Sequence, residues 1–286
     1  MKVFSFRNLF AFGIVLGMIV LGLQDSLAQG QLFPSASTAQ SIEQELGISK
    51  VSLHYARPNM KGRKIFGALI PYDQVWRTGA NNATTITFHD EVALDGKKVP
   101  AGTYALFTIP RKTEWTIILN KNSKQWGAYT YDEKDDLLRF NVPAEKLKKA
   151  QETFEITFSE ISDKTAKLTL AWEKVAVSFD IVVDQDAKIM ANIAEAMKGE
   201  KKPYLGAAQY YYNNNKDLDQ ALVWANEAVK QSPKAPHTYY WKALIQLKAG
   251  DKAGANATAS EGKKLAETAG NSEYVTLNQQ VIDKSK

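Results

Sequence analysis

Between Lys50 and Gly79 the chain sets Lys50, Arg57, Lys61, Arg63, Lys64 and Arg77 against a single acid, Asp73. The same stretch holds His54, Tyr55, Tyr72 and Trp76, and Asn81 and Asn82 follow directly. An arginine presents a planar fork of donors that matches carboxylate, phosphate or sulfate. Trp and Tyr offer flat faces that stack on a sugar or carry a cation. Asn side chains both donate and accept, which suits a hydroxyl-rich ligand. The candidate binding residues are therefore His54, Tyr55, Arg57, Lys61, Arg63, Trp76, Arg77, Asn81 and Asn82. The partner chemistry they predict is a glycan, a peptide carboxylate or another small anion. The same side chains have a second use: Arg57, Arg77 and the asparagines can fasten long loops by bonding backbone carbonyls, with Trp76 in the core.

Other chemistries find less in the sequence. The absence of cysteine removes thiolate nucleophiles, disulfides and Cys-ligated metal. No nucleophile elbow and no phosphate-cradling glycine loop is present, and His54, His89 and His237 are widely spaced. No metal and no cofactor is predicted. The acidic run Asp132-Glu133-Lys134-Asp135-Asp136 lacks the Asp/Asn–Gly spacing of calcium loops and reads as a solvated turn. A hydrolase or lyase of the cell envelope would have to draw on Arg57, Arg77 and His54 with Asp73 or Asp90. General acid–base work needs two such groups within reach of one substrate, and nothing in the spacing brings them together. A structural envelope scaffold without a ligand is the third reading.

The elements that must position these residues change character along the chain. From Ile48 to Val183 short apolar runs alternate with period 2, as in Thr84-Thr85-Ile86-Thr87-Phe88 and Trp115-Thr116-Ile117-Ile118-Leu119. Asp95-Gly96 marks a hairpin and Pro100-Ala101-Gly102 a further corner. Such spacing predicts an all-β, antiparallel, sandwich-like domain over residues 46–184, with one short helical turn at Pro143 to Gln151. Residues 29–45 read as a mobile N-terminal segment. From Asp186 the period becomes 3.6, predicting an all-α domain over residues 185–286 whose first helix ends near Gly199. Within it Tyr212 to Ala221 recurs 34 residues later as Gln246 to Ala255, with small residues at Ala221, Ala228, Ala243 and Ala255 and a proline at Pro233. This resembles the tetratricopeptide repeat, a 34-residue pair of helices. Gln209 and Gly262 depart from its pattern. The helical pairs imply docking of a protein partner or bracing of the β domain.

Residues 1–28 carry the parts of a secretory signal: Lys2 and Arg7, an apolar run from Leu9 to Leu23, and Ser26-Leu27-Ala28 as a cleavage site. The apolar run is shorter than the roughly 20 residues that span a bilayer. Export to the periplasm or the extracellular space is the expectation, with no membrane span once the signal is removed. The 286-residue chain has a formal charge of +5, too small an excess for a nucleic-acid binder. At 44% apolar residues it has ample material for packed cores.

Longer motifs carry a family resemblance. Tyr55-x-Arg57-Pro58-x-x-Lys61-Gly62-Arg63-x-Ile65-Phe66-Gly67 is followed by Pro71-Tyr72-x-x-Val75-Trp76-Arg77-Thr78-Gly79-Ala80-Asn81. Then come Pro100-Ala101-Gly102-Thr103-Tyr104-Ala105-Leu106-Phe107, Gln125-Trp126-Gly127 and Leu170-Ala171-Trp172-Glu173. From Ser35 to Val183 the chain resembles the bacterial family catalogued as domain of unknown function 2911. The resemblance implies an exported protein with no assigned activity, and an acidic residue at the position that Asn82 holds here. The helical half lies outside it.

Overall fold

The computed structural model describes residues 33–286, so the signal segment expected over residues 1–28 lies outside the described residues. The chain divides between Asp184 and Gln185 into a β unit and a helical unit.

Alternation of apolar and polar side chains builds the β unit. In β2 (Ser49–Arg57) Leu53 and Tyr55 point into the core while Ser52 and His54 face outward, and β3 (Thr84–Phe88) buries Ile86 and Phe88. The remaining strands are β1 (Thr38–Leu46), β4 (Val92–Leu94), β5 (Lys97–Val99), β6 (Gly102–Pro110), β7 (Glu114–Asn120), β8 (Asp136–Ser159) and β9 (Thr165–Val182). They form one antiparallel sheet of nine strands in the order β1-β2-β3-β6-β7-β8-β9-β4-β5. Strand β8 serves both halves: Asp136 to Pro143 pairs with β7, and Ala144 to Ser159 pairs with β9. The register shifts between Lys146 and Glu155, where the long strand bends. The bend carries Phe154 and Ile156 back to β2, and residues from both halves of the sheet fill one core. This is the sandwich-like β domain that the period-2 pattern predicts.

Two local expectations are corrected. Pro143 to Gln151 is strand, not a helical turn; helix propensity in Ala-Glu-Lys-Leu-Lys-Lys is overridden by pairing with Val175 to Val177 of β9. Thr38 to Glu45, placed in a mobile segment by its polar composition, is edge strand β1, paired residue for residue with β2.

Strands β6 and β7 are buried on both faces, which explains their nearly continuous apolar runs. One face joins the main core. The other, with Ala105, Phe107 and Ile118, is covered by Val75, Ala128 and Tyr131 from two loops. The turn between β4 and β5 places Asp95 at φ 50 and Gly96 at φ 70, the left-handed pair expected of a two-residue hairpin.

The helical unit comprises α1 (Asp186–Ala196), α2 (Tyr204–Asn213), α3 (Leu218–Gln231), α4 (Pro236–Lys248), α5 (Lys252–Thr268) and α6 (Ser272–Lys284). Asp217, Asp251 and Asn271 cap the starts of α3, α5 and α6 by accepting from backbone N–H groups. Alanines let the helices approach closely: Ala208, Ala221 and Ala225 pack with Ile245, and Ala243, Ala255 and Ala259 pack with Val281. At Gly262 a Cβ would stand 2.6 Å from Asn278 Oδ1 and 2.8 Å from the Tyr239 Cβ, so this departure from the repeat pattern is a packing requirement.

Candidate functional site

The segment from Pro58 to Ala83, joining β2 to β3, has no regular structure and must satisfy its backbone elsewhere. Strand β8 takes one end: Phe154 N donates to Pro58 O at 2.9 Å and Met60 N donates to Glu152 O at 2.8 Å. Glu152 and Glu173 side chains receive Lys61 N at 2.8 Å and Phe66 N at 3.2 Å. At the other end Trp76 and Thr108 exchange backbone hydrogen bonds at 2.7 and 3.0 Å. Thr84 Oγ1 donates to Thr78 O at 2.6 Å and closes the loop. Gly79 lies at φ 154, where a Cβ would meet Ala56 O at 2.9 Å. Lys61, Asp73, Thr78 and Asn81 all hold positive φ, a concentration of costly backbone in one loop.

Several of the predicted residues serve to hold this loop. Tyr55 is 1% exposed, and its hydroxyl donates to Gln40 Oε1 at 2.7 Å while accepting from Ile156 N at 3.0 Å. Burial pushes its pKa up. Arg57 donates from Nε to Phe154 O at 3.2 Å and pairs with Glu155 at 3.3 Å. Arg63 binds Met60 O at 2.9 Å and Asn59 O at 2.7 Å. Trp76 is 5% exposed, stacked on Trp172 with ring centroids 5.9 Å apart, and its Nε1–H donates to Gly79 O. Phe66, Trp115 and Phe154 complete that aromatic cluster. His54 lies on the outer sheet face against Ser41 Oγ at 2.9 Å, in a separate groove lined also by Glu43, Ser52 and Thr85. Of the acids considered for catalysis, Asp73 pairs with Arg111 at 2.8 Å.

A different subset converges. Lys61, Arg63 and Arg77 line one cleft of about 350 Å³, together with Ser37, Asn59, Leu69 and Trp172. No Asp, Glu or His is among its lining residues. Arg77 is half-buried, and its Nε is fully buried without a hydrogen-bond partner. Among the described residues its guanidinium has no ion-pair or hydrogen-bond partner at all. A buried donor left unsatisfied costs about 1–3 kcal/mol, more when charged. An oxyanion in the cleft would give the guanidinium a counter-charge through its outer nitrogens. Asn81 joins the rim by donating from Nδ2 to Ser37 O at 3.4 Å. Asn82 is exposed and its backbone bridges to Trp126.

The Lys121 to Tyr131 loop, none of whose residues is among the candidates that charge and residue type pick out, stands beside Arg77. Gly127 N donates to Asn81 O at 3.0 Å, and Ala83 N donates to Gln125 O at 3.0 Å. Beneath it lies a polar network. Asn120 donates to Asp136 Oδ1 at 2.8 Å, Gln125 donates to Asn120 Oδ1 at 3.1 Å, and Tyr131 donates to Asp136 Oδ2 at 2.7 Å. Arg139 pairs with Asp136 and donates to the Tyr131 hydroxyl. Burial, then the hydrogen bond to Asp136, pushes the Tyr131 pKa up to about 12. The only sequence signal for this loop was the Gln125-Trp126-Gly127 motif of the family resemblance. No group of three or more His, Cys, Asp or Glu residues among the described ones is placed to hold a metal.

Comparison with known proteins returns no curated protein and no solved structure that matches the chain. A family model does match, described as a protein of unknown function, DUF2911, and it spans residues 37–181. That range starts one residue before β1 and ends one residue before the end of β9, so it contains the pinned loop, the three cleft cations and the Gln125–Gly127 segment and excludes every helix of the helical unit. On that match the chain belongs to the DUF2911 family.

Proposed function

We propose that the β unit is a non-enzymatic binding module whose Lys61–Arg63–Arg77 cleft takes the anionic group of a hydroxyl-bearing small ligand. The observation that carries this is Arg77: a half-buried guanidinium with no partner, in a cleft lined by two further cations and no acid. A charge left so is costly to the fold and useful to a ligand. A hydrolase or lyase gains no comparable support, because the cleft lining offers no carboxylate or imidazole for proton transfer. The leader-like residues 1–28 support export to the periplasm or the extracellular space. The recurrence 34 residues apart and the alanine-seamed helices support tetratricopeptide-like pairing and a protein-docking role for the helical unit. No helix among the described residues is long and apolar enough to cross a membrane.

Calorimetric titration with citrate, galacturonate and sulfate tests the cleft. At least one of these anions binds the wild-type protein, and Arg77→Ala weakens it tenfold or more, the equivalent of about 1.4 kcal/mol. Binding by neither protein, or equal binding by both, would contradict the proposal.

A further inference from the structure

The cleft does not end at Arg77. Gly127 holds φ +69, and the point where its Cβ would stand is 3.0 Å from Arg77 Nη1 and 2.7 Å from the Tyr129 ring. A side chain there would have to push the guanidinium or the ring aside, and the positive φ favours glycine. Tyr129 is 82% exposed, and the neighbouring Trp126 is 63% exposed. Most aromatic residues of this unit are buried, so two exposed rings three positions apart, that of Tyr129 next to the unpartnered arginine, are a feature of defined chemistry. The amides of Asn81 and Asn82 are exposed at the same place, tied to this loop through Gly127 N and the Trp126 backbone.

From this juxtaposition we propose that the ligand is an acidic saccharide, a sugar ring bearing a carboxylate or sulfate. It rests on the anion-binding reading of the cleft and adds the substrate class. The anionic group enters the Lys61–Arg63–Arg77 cleft, where a fork of guanidinium donors receives it. A neighbouring ring of the same chain lies against Tyr129 and Trp126, whose flat faces take the apolar side of a pyranose. Asn81 and Asn82 donate to and accept from its hydroxyls. A lone peptide carboxylate would fill the cleft and leave both aromatic faces in water, so it accounts for half of the surface.

The test uses the full chain and measures affinity for trigalacturonate, trimannuronate and a heparin tetrasaccharide, with neutral galactotriose, citrate and AMP beside them. Tyr129 and Trp126 are exposed, so Tyr129→Ala and Trp126→Ala leave the fold intact, which far-ultraviolet dichroism checks. At least one acidic oligosaccharide binds at least tenfold more tightly than galactotriose and citrate. Tyr129→Ala or Trp126→Ala reduces that affinity tenfold or more while leaving citrate unchanged, and Arg77→Ala weakens both. If citrate binds through Arg77 but no acidic oligosaccharide improves on it, or AMP exceeds all of them, the saccharide assignment is overturned and the anion cleft stands. If no anion of any kind binds, both fall together.

Discussion

Arg57 and Arg77 occupy one motif and meet opposite fates. Arg57 crosses to β8, where Phe154 O and the Glu155 carboxylate receive it. Arg77 reaches no acceptor among the described residues. Stability and binding therefore part at these two residues. Arg57→Ala lowers stability by about 1–3 kcal/mol, because a hydrogen bond to a charged group is lost and the partner carbonyl is left bare. Its anion affinity stays at the wild-type level. Arg77→Met leaves stability unchanged or raises it, since replacing a poorly compensated buried charge by an apolar side chain is often neutral or favourable, and it loses the anion. Urea denaturation with parallel titration checks both, and loss of stability in Arg77→Met would show that the guanidinium holds the loop. The residue types at these positions were legible in the sequence, as were both of their uses. Which arginine had which use was not. The deciding acids, Glu152, Glu155 and Glu173, lie roughly a hundred residues away, and spacing along the chain carries no information about them.

At the scale of elements, period 2 located nearly every strand, and Asp95-Gly96 located its hairpin, because both signals are local. The errors fell where tertiary pairing decides. Strand β1 is polar along most of its length because it is a solvated edge, and the middle of β8 is polar because it bends away from the core. The Lys121–Tyr131 loop is an element of the same kind: bonds among its own residues, such as Gln125 to Asn122 O, are joined by anchors outside it at Asn120, Asp136 and Arg139. It has a pH signature. Tyr131 keeps its proton up to about 12 in the folded protein, whereas an unfolded tyrosine loses it near 10. Between about pH 10 and 12 the unfolded chain therefore sheds a proton that the folded chain retains. Stability from this group is complete below pH 10 and is lost as pH rises towards 12. Denaturation curves across that range should show a slope smaller by about one proton in Tyr131→Phe than in wild type. Tyr55, Tyr104 and Tyr240, whose pKa values are also raised by burial, contribute to the slope that remains. An unchanged slope would mean that Asp136 and Arg139 do not hold the Tyr131 hydroxyl.

Across the whole molecule, the formal charge of +5 describes no part of it well. Many cations are matched locally, among them Lys50 with Glu43, Arg111 with Asp73, Arg139 with Asp136 and Lys167 with Glu160. The family match and the division of the chain agree that the β unit is one module, with the helices as a second. What distinguishes that module is a cleft where three cations meet no acid, close to exposed Tyr129. The most direct test observes the arginine side chains of the full chain in one experiment. Nitrogen-15 spectra of the Arg Nε–H groups are recorded while galacturonate is added. The Arg77 Nε–H resonance is expected to shift saturably, with smaller changes at Arg63, while that of Arg57 stays fixed against Phe154 O. A stationary Arg77 signal, at galacturonate concentrations that move other arginines, would contradict this expectation.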